Sequence, residues 1–239
     1  MMAWFRTIPA FVRRWVQRGL LVLLGLLLLY QLWFFLWVFL WQWTHPDMTR
    51  FMEIRLEELQ AANPQARLKK QWLDYEKISP HLKRALIAAE DDLFMQHGGF
   101  DWDGIQRAME KNQQRGRIVA GGSTISQQLA KNLFLSPDKT PWRKAEEAVI
   151  TLMIESIWDK RRIFEIYLNV IEWGNGVFGA EAAARHYFGI GAGHLSPEQS
   201  AWLAAMVPRP RFYDRNRNLP GLASRAAAIL SRMPVARIP

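Results

Sequence analysis

Gly121-Gly-Ser-Thr-Ile-Ser-Gln-Gln-Leu-Ala-Lys-Asn-Leu-Phe-Leu135 is the most distinctive stretch of this 239-residue chain. Two glycines leave the backbone free to turn. Thr124, followed three residues later by Gln127, forms a capping-box pattern, so a helix begins here. On helical spacing Thr124, Gln128, Lys131 and Asn132 gather on one face, and Ile125, Leu129 and Leu133 on the other. The apolar stripe predicts a helix packed on a core. The polar face is open to two readings, a solvated surface or a binding surface. Threonine, glutamine and asparagine are poor choices for solubility alone, where Glu and Lys are usual.

The same period runs outward on both sides. Upstream, Ser79-Pro80 starts a helix with Leu82, Ala85, Leu86 and Ala89 as its stripe. It leads into Ala88-Ala-Glu-Asp-Asp-Leu-Phe-Met-Gln-His-Gly98, where Glu90, Phe94 and His97 fall at i, i+4 and i+7 and are expected on one helix face, beside Asp91. A carboxylate, a ring and an imidazole so placed suit a site; they equally suit a surface helix with a solvated acidic turn. Residues 103–118 are polar and basic (Arg107, Lys111, Arg115, Arg117) and read as an exposed, mobile segment.

Downstream, residues 142–158 form a long helix. Arg143, Glu147, Thr151 and Glu155 wind along one side, with Ile150 and Ile154 beside them and Ala145, Val149 and Leu152 opposite. A helix apolar nearly all round is expected to be buried, and its charges must then be paired or line a cleft. An Arg143–Glu147 pair at i, i+4 meets that need without a substrate. Residues 160–173 follow as a helix ended by Gly174-Asn-Gly176. Further helices are expected over 180–188, over 199–206 after the Ser196-Pro-Glu cap, ending at Pro208, Pro210 and Arg211, and over 223–232. Almost nothing alternates with period two, so the fold is mainly α.

Residues 1–18 carry Arg6, Arg13, Arg14 and Arg18 and no acid, and residues 19–43 carry no charge. A helix over 20–41 is about 33 Å long at ~1.5 Å per residue, enough to cross a ~30 Å hydrocarbon core. The run is too long for a cleavable signal peptide and ends Trp-Gln-Trp-Thr-His-Pro, without a small-residue cleavage site. Apolar on every face, it does not suit a core helix. Trp33, Trp37, Trp41 and Trp43 suit an interface at its far end, and the arginines favour an N-terminus in the cytoplasm. The chain is thus expected to divide into a basic cytoplasmic tail (1–18), a transmembrane helix (19–43), a charged juxtamembrane connector broken at Asn63-Pro64 (44–77) and a C-terminal domain outside the cytoplasm (78–239). The absence of cysteine excludes disulfides, Cys-zinc sites and thiol catalysis. A net charge of +9 predicts an anionic partner. The placement outside the cytoplasm makes nucleic acid a poor candidate for it.

Two motifs mislead. Gly174-Asn-Gly176-Val-Phe-Gly179 matches the dinucleotide G-x-G-x-x-G but has no βαβ unit around it. Ser136-Pro-Asp-Lys139 matches a transpeptidase S-x-x-K without the later Ser-Asp-Asn or Lys-Thr-Gly, and reads as a turn.

Five stretches, in order, resemble the monofunctional biosynthetic peptidoglycan glycosyltransferases and the glycosyltransferase half of class A penicillin-binding proteins. They are Glu90-Asp91-x-x-Phe94-x-x-His97-x-Gly99; Gly121 to Leu135; Arg143-Lys144-x-x-Glu147, extended to Glu155; Tyr167-Leu168-Asn169 with Gly174, Gly176 and Gly179; and Leu203-Ala204 through Pro208 and Tyr213. Thr151 and Ile154 stand where the family often has smaller residues or leucine, which bears on packing. The resemblance implies a mainly α, lysozyme-like fold with two lobes around a cleft. It also implies transfer of a glycan chain held on undecaprenyl diphosphate to the 4-hydroxyl of lipid II, with inversion.

By the same resemblance Glu90 is the general base, and Glu147 is the second essential carboxylate, holding Arg143 and Lys144 or helping at the donor sugar. Lys131, Arg143 and Lys144 stabilise the leaving diphosphate, with N–H groups of the Ser123–Thr124 helix start assisting. Thr124, Gln128 and Asn132 bind sugar or phosphate, and Phe94 and His97 shape the cleft. Asp91 is a candidate ligand for a divalent cation such as Mg2+ or Mn2+. Membrane lipids and other cell-wall or division proteins are the further partners expected. The competing functions are a lysozyme-like enzyme that cleaves glycan and a non-catalytic scaffold that binds lipid II.

Overall fold

The computed structural model describes residues 9–117 and 121–239. Arg6 of the basic tail and Ile118 at the end of the basic segment lie outside them. The fold is mainly α.

Helix α1 (Ala10–Leu40) starts ten residues before the expected position and carries Arg13, Arg14 and Arg18 within it. Its stretch Phe11–Leu40 is long and apolar enough to cross a membrane, and nearly all of it is exposed. Among the described residues, its contacts with the rest of the domain lie toward its far end. Phe34, Val38 and Trp41 are buried there, and the rings of Phe34 and Trp41 each lie 5.3 Å from that of Phe134. Trp158 Nε1 donates to the Val38 carbonyl (2.8 Å), and Tyr30 donates to Glu146 (2.6 Å). Arg162 donates to the Trp41 carbonyl (2.9 Å). The helix is bolted to the domain through apolar, aromatic and polar contacts rather than tethered by a loose linker.

Helix α2 (Arg50–Ala62) is capped by Thr49 and stops at Asn63, where the Asn-Pro break was read. It packs on α5 and buries Phe51 and Met52, and strand β1 (Lys69–Lys70) joins a small sheet, so residues 50–70 belong to the packed body. Strands β2 (Glu172–Gly174) and β3 (Val177–Phe178) form an antiparallel hairpin, with β1 parallel to β3 at the edge. The expected helix over 160–173 is therefore shorter: α7 spans Lys160–Val170, and Gly174-Asn-Gly176 turns a hairpin instead of ending a helix. Trp173, Val177 and Phe178 are all buried, which hides the alternation that would have marked the strands.

Helices α3 (Pro80–Glu90), α9 (Pro197–Met206) and α11 (Pro220–Arg232) pack together, and α5 (Ile125–Phe134) packs against α6 (Pro141–Ile157) and α7. Ala201, Ala204 and Ala205 of α9 are buried; their small side chains let α3 and α11 approach. Helix α8 (Ala180–Phe188) has the expected bounds, and Ser196 with Gln199 forms a capping box before α9. Pro210 begins a short helix α10 (Pro210–Arg215), where proline at the first turn costs no hydrogen bond.

The basic segment is largely exposed, as expected, and forms helix α4 (Trp102–Arg115), started by Asp101, whose carboxylate accepts from Gly104 N–H. One expectation fails. Helix α6 is buried on one side only, through Glu147, Ile150, Thr151 and Ile154. Trp142 and Leu152 are 65% and 56% exposed, and Val149 is exposed with them. This exposed apolar face lies on the helix that α1 touches.

Candidate active site

Glu90 is the last residue of α3, a helix capped by Ser79 with Pro80 in its first turn. The helix stops because Asp91 turns to extended backbone and commits its carboxylate elsewhere. Asp91 accepts from the Ile125 N–H at the start of α5 (2.9 Å) and from His97 Nε2 (2.9 Å). The shared helix face expected for Glu90, Phe94 and His97 thus does not exist; residues 91–99 are turns. A carboxylate at a helix N-terminus, where N–H groups lack partners, outweighs the local periodicity.

Two further donors of that N-terminus are also engaged. Thr124 Oγ1 accepts from Gln127 N–H (3.2 Å), and Gln127 Oε1 accepts from Thr124 N–H (3.1 Å), completing the capping box. Thr124 donates to the Gly99 carbonyl (2.7 Å). The carboxylate held at this helix start is the protein's own Asp91, and the Thr124 N–H, expected to face a substrate, is taken by Gln127. His97 accepts the Gly99 N–H at Nδ1 (3.2 Å), which leaves the proton on Nε2 for Asp91. Phe94 is wholly buried against Phe164 (5.7 Å between rings), with Lys160 Nζ 4.5 Å over its ring; it backs the wall from behind. Gly99 sits at φ +93°, and a Cβ there would come within 2.8 Å of Thr151 Cγ2 and 3.0 Å of Glu155 Cγ. Gly99→Ala is expected to destabilise the fold by about 1–3 kcal/mol, read as a lowered Tm in thermal unfolding.

The Glu90 carboxylate has few partners. Oε2 accepts from Gln128 Nε2 (3.0 Å), and Gln128 Oε1 accepts from the buried Tyr167 hydroxyl (3.0 Å). Oε1 has no hydrogen-bond partner; the Arg225 guanidinium of α11 lies 3.7 Å away. Burial pushes the Glu90 carboxyl above the usual carboxylate range, opposed by the Gln128 hydrogen bond and by the charges of Arg225 and Lys131.

A second cluster lies along α6. Glu147 is only 3% exposed, accepts from Arg143 (2.6 Å) and pairs with Lys144. Lys144 reaches the Ser123 hydroxyl as well (3.3 Å). Lys131 feels both Glu147 and Glu90, but burial is the stronger influence and pulls its ammonium below the ordinary lysine range. Asn132 is turned inward and donates to the Gln128 carbonyl of its own helix (2.8 Å). A cavity of about 180 Å3 beside Glu90 is lined by Asp92, Asp101, Arg107, Gly122 and Ser123 among others.

The fold thus brings together Glu90, Gln128, Lys131, Arg143, Lys144, Glu147 and Ser123. Phe94, His97, Thr124 and Asn132 build the wall. One contributor carried no sequence signal as a site residue: Arg225, one of two arginines in α11. Tyr167 stood in the Tyr167-Leu168-Asn169 stretch, but its helical spacing marked it only as an apolar-stripe residue of α7. The Asp91 oxygens are taken by His97 and Ile125, and among the described residues no three His, Asp or Glu side chains converge on one point. The residues present do not fit a divalent cation at Asp91.

Residues 57–234 match the family model described as Transglycosylase. The chain is 65% identical over 226 residues to a biosynthetic peptidoglycan transglycosylase of Dechloromonas aromatica, covering 95% of this chain and 98% of that one. A protein of the same description from Nitrosospira multiformis is 59% identical over 229 residues, covering 96% and 100%. One from Laribacter hongkongensis is 60% identical over 226 residues, covering 95% and 99%.

Proposed function

This chain belongs to the transglycosylase family, and from that premise we propose how its cleft polymerises glycan. The enzyme is a peptidoglycan glycosyltransferase of cell-wall synthesis, with lipid II and the glycan strand as substrates. The donor is the growing chain on undecaprenyl diphosphate, and the acceptor is the 4-hydroxyl of lipid II. The acceptor oxygen attacks the anomeric carbon of the donor. The bond from that carbon to the diphosphate breaks on the opposite face, so the centre inverts and a β-1,4 bond results.

Each part has residues suited to it. A sugar hydroxyl is a weak nucleophile and must lose its proton in the transition state. Glu90 takes it, and Oε1 is the oxygen without a hydrogen-bond partner. A pKa raised by burial makes it a stronger base than an exposed carboxylate. The leaving diphosphate needs cations, which Lys131, Arg143 and Lys144 supply. Glu147 holds Arg143 and Lys144 in place before substrate arrives. The observation that carries this reading is one buried carboxylate within electrostatic reach of a cationic cluster organised by a second. Arg13, Arg14 and Arg18 at the near end of α1 support an N-terminus in the cytoplasm, with the cleft on the periplasmic face where lipid-linked substrates are held.

Labelled lipid II mixed with the full chain in detergent is expected to give polymer with β-1,4 linkages. Cleavage of finished glycan without polymerisation would overturn this reading in favour of a lysozyme-like hydrolase.

A further inference from the structure

We propose that Tyr167 is a positioning residue for the transfer reaction: acting through Gln128, it fixes which oxygen of Glu90 stays hydrogen-bonded and which is left to take the acceptor's proton. The inference rests on the reading of Glu90 as the base.

A carboxylate only accepts hydrogen bonds, so the Gln128 side chain must turn its NH2 group toward Glu90 Oε2 (3.0 Å) and its carbonyl away. The carbonyl then meets the Tyr167 hydroxyl at 3.0 Å. Tyr167 is wholly buried on α7, with its ring stacked on Phe164 (6.2 Å between centroids, 20° between planes), so the hydroxyl is held in place. Burial keeps it protonated, because its pKa stands well above the ordinary tyrosine value. A reversed amide would aim oxygen at oxygen against Glu90 and leave the buried hydroxyl proton without an acceptor among the described residues. The chain Tyr167–Gln128–Glu90 therefore has one favourable direction, which ends with Oε1 free of hydrogen bonds and only the Arg225 charge, at 3.7 Å, beside it.

The groups facing Glu90 come from four elements. Asp91 follows it at the end of α3, Gln128 and Lys131 come from α5, Tyr167 from α7 and Arg225 from α11. The charges of Lys131 and Arg225 favour the ionised carboxylate against the effect of burial whatever the state of Tyr167. Loss of the hydroxyl should therefore shift the base partially rather than abolish it.

The test is the pH dependence of lipid II polymerisation by the full chain in detergent. Tyr167→Phe keeps the ring and its packing. Its acid limb of kcat/KM is expected to move up by roughly one pH unit, with about tenfold lower kcat below the limb, recovery of rate at high pH and little change in KM. Gln128→Met, which removes both hydrogen bonds, should move the limb the same way, and the double variant should move it no further than Gln128→Met alone. An unchanged limb in Tyr167→Phe, an equal loss at every pH, or shifts that add in the double variant would each overturn the inference. Should Tyr167→Phe not fold, the same limb is read in Gln128→Met, and no shift there overturns the proposal. If Glu90→Gln retained turnover, the base assignment would fail first. If Glu90→Gln is inactive and the Tyr167→Phe limb is unmoved, only the positioning role fails.

Discussion

Glu90→Gln is expected to lower lipid II polymerisation by about 10²–10⁴-fold, the usual worth of a general base, while binding of lipid II persists. The amide has nearly the shape of the carboxylate, and its carbonyl can still accept from Gln128, so the wall of the cleft stays intact. What is lost is the ability to take a proton. The folded protein is also expected to tolerate the change well. Glu90 titrates above its ordinary range when folded, so its folded form binds a proton where the unfolded chain has released it. Stability from this group is present below the unfolded pKa and is lost as pH rises through the folded one. Above that range Glu90→Gln should match or exceed the wild type in Tm. Turnover and Tm measured on the same preparations separate chemistry from folding, and near-normal turnover in Glu90→Gln would remove the residue from this role. In the wild type the same titration predicts an acid limb of kcat/KM above the range of an exposed carboxylate.

Lys131→Ala and Arg143→Ala are expected to depress turnover by about 10²–10³-fold, as loss of a preorganised partner for developing charge does. The two should differ in stability. Lys131 is a buried cation that makes no ion pair with a described residue, so removing it costs the fold little. Arg143 pairs at 2.6 Å with Glu147, which is buried, so Arg143→Ala leaves that carboxylate to Lys144 alone and should lower Tm. A large loss of turnover in Lys131→Ala without loss of Tm would identify the ammonium as a contact of the transition state. An effect of both variants confined to Tm would instead make the cluster an internal ion-pair network.

Much of the fold was legible because its signals are local. The Thr124 and Ser196 capping boxes, the Ile125–Leu129–Leu133 stripe and the bounds of α8 each depend on residues within one or two turns. The misreadings share one cause. Spacing placed Glu90, Phe94 and His97 on one helix, but the chain breaks at Asp91 to satisfy the start of a helix 34 residues away. Nothing local reveals such an appointment. The hairpin at 172–178 is buried on both faces, so its alternation is silent. The outer face of α6 carries the apolar side chains of a core yet is exposed, which composition alone does not reveal. Tyr167 and Arg225 reach Glu90 only through tertiary packing, from α7 and α11.

The bolted end of α1 has a mechanical consequence. Four separate attachments, from Tyr30 to Trp41, make the membrane helix and the domain turn as one lever. A helix of 31 residues is about 46 Å long at ~1.5 Å per residue, and a bilayer thinner than its apolar stretch is met by tilting. With its far end bolted to the domain, α1 would hand such a tilt on to the cleft instead of absorbing it at a flexible linker.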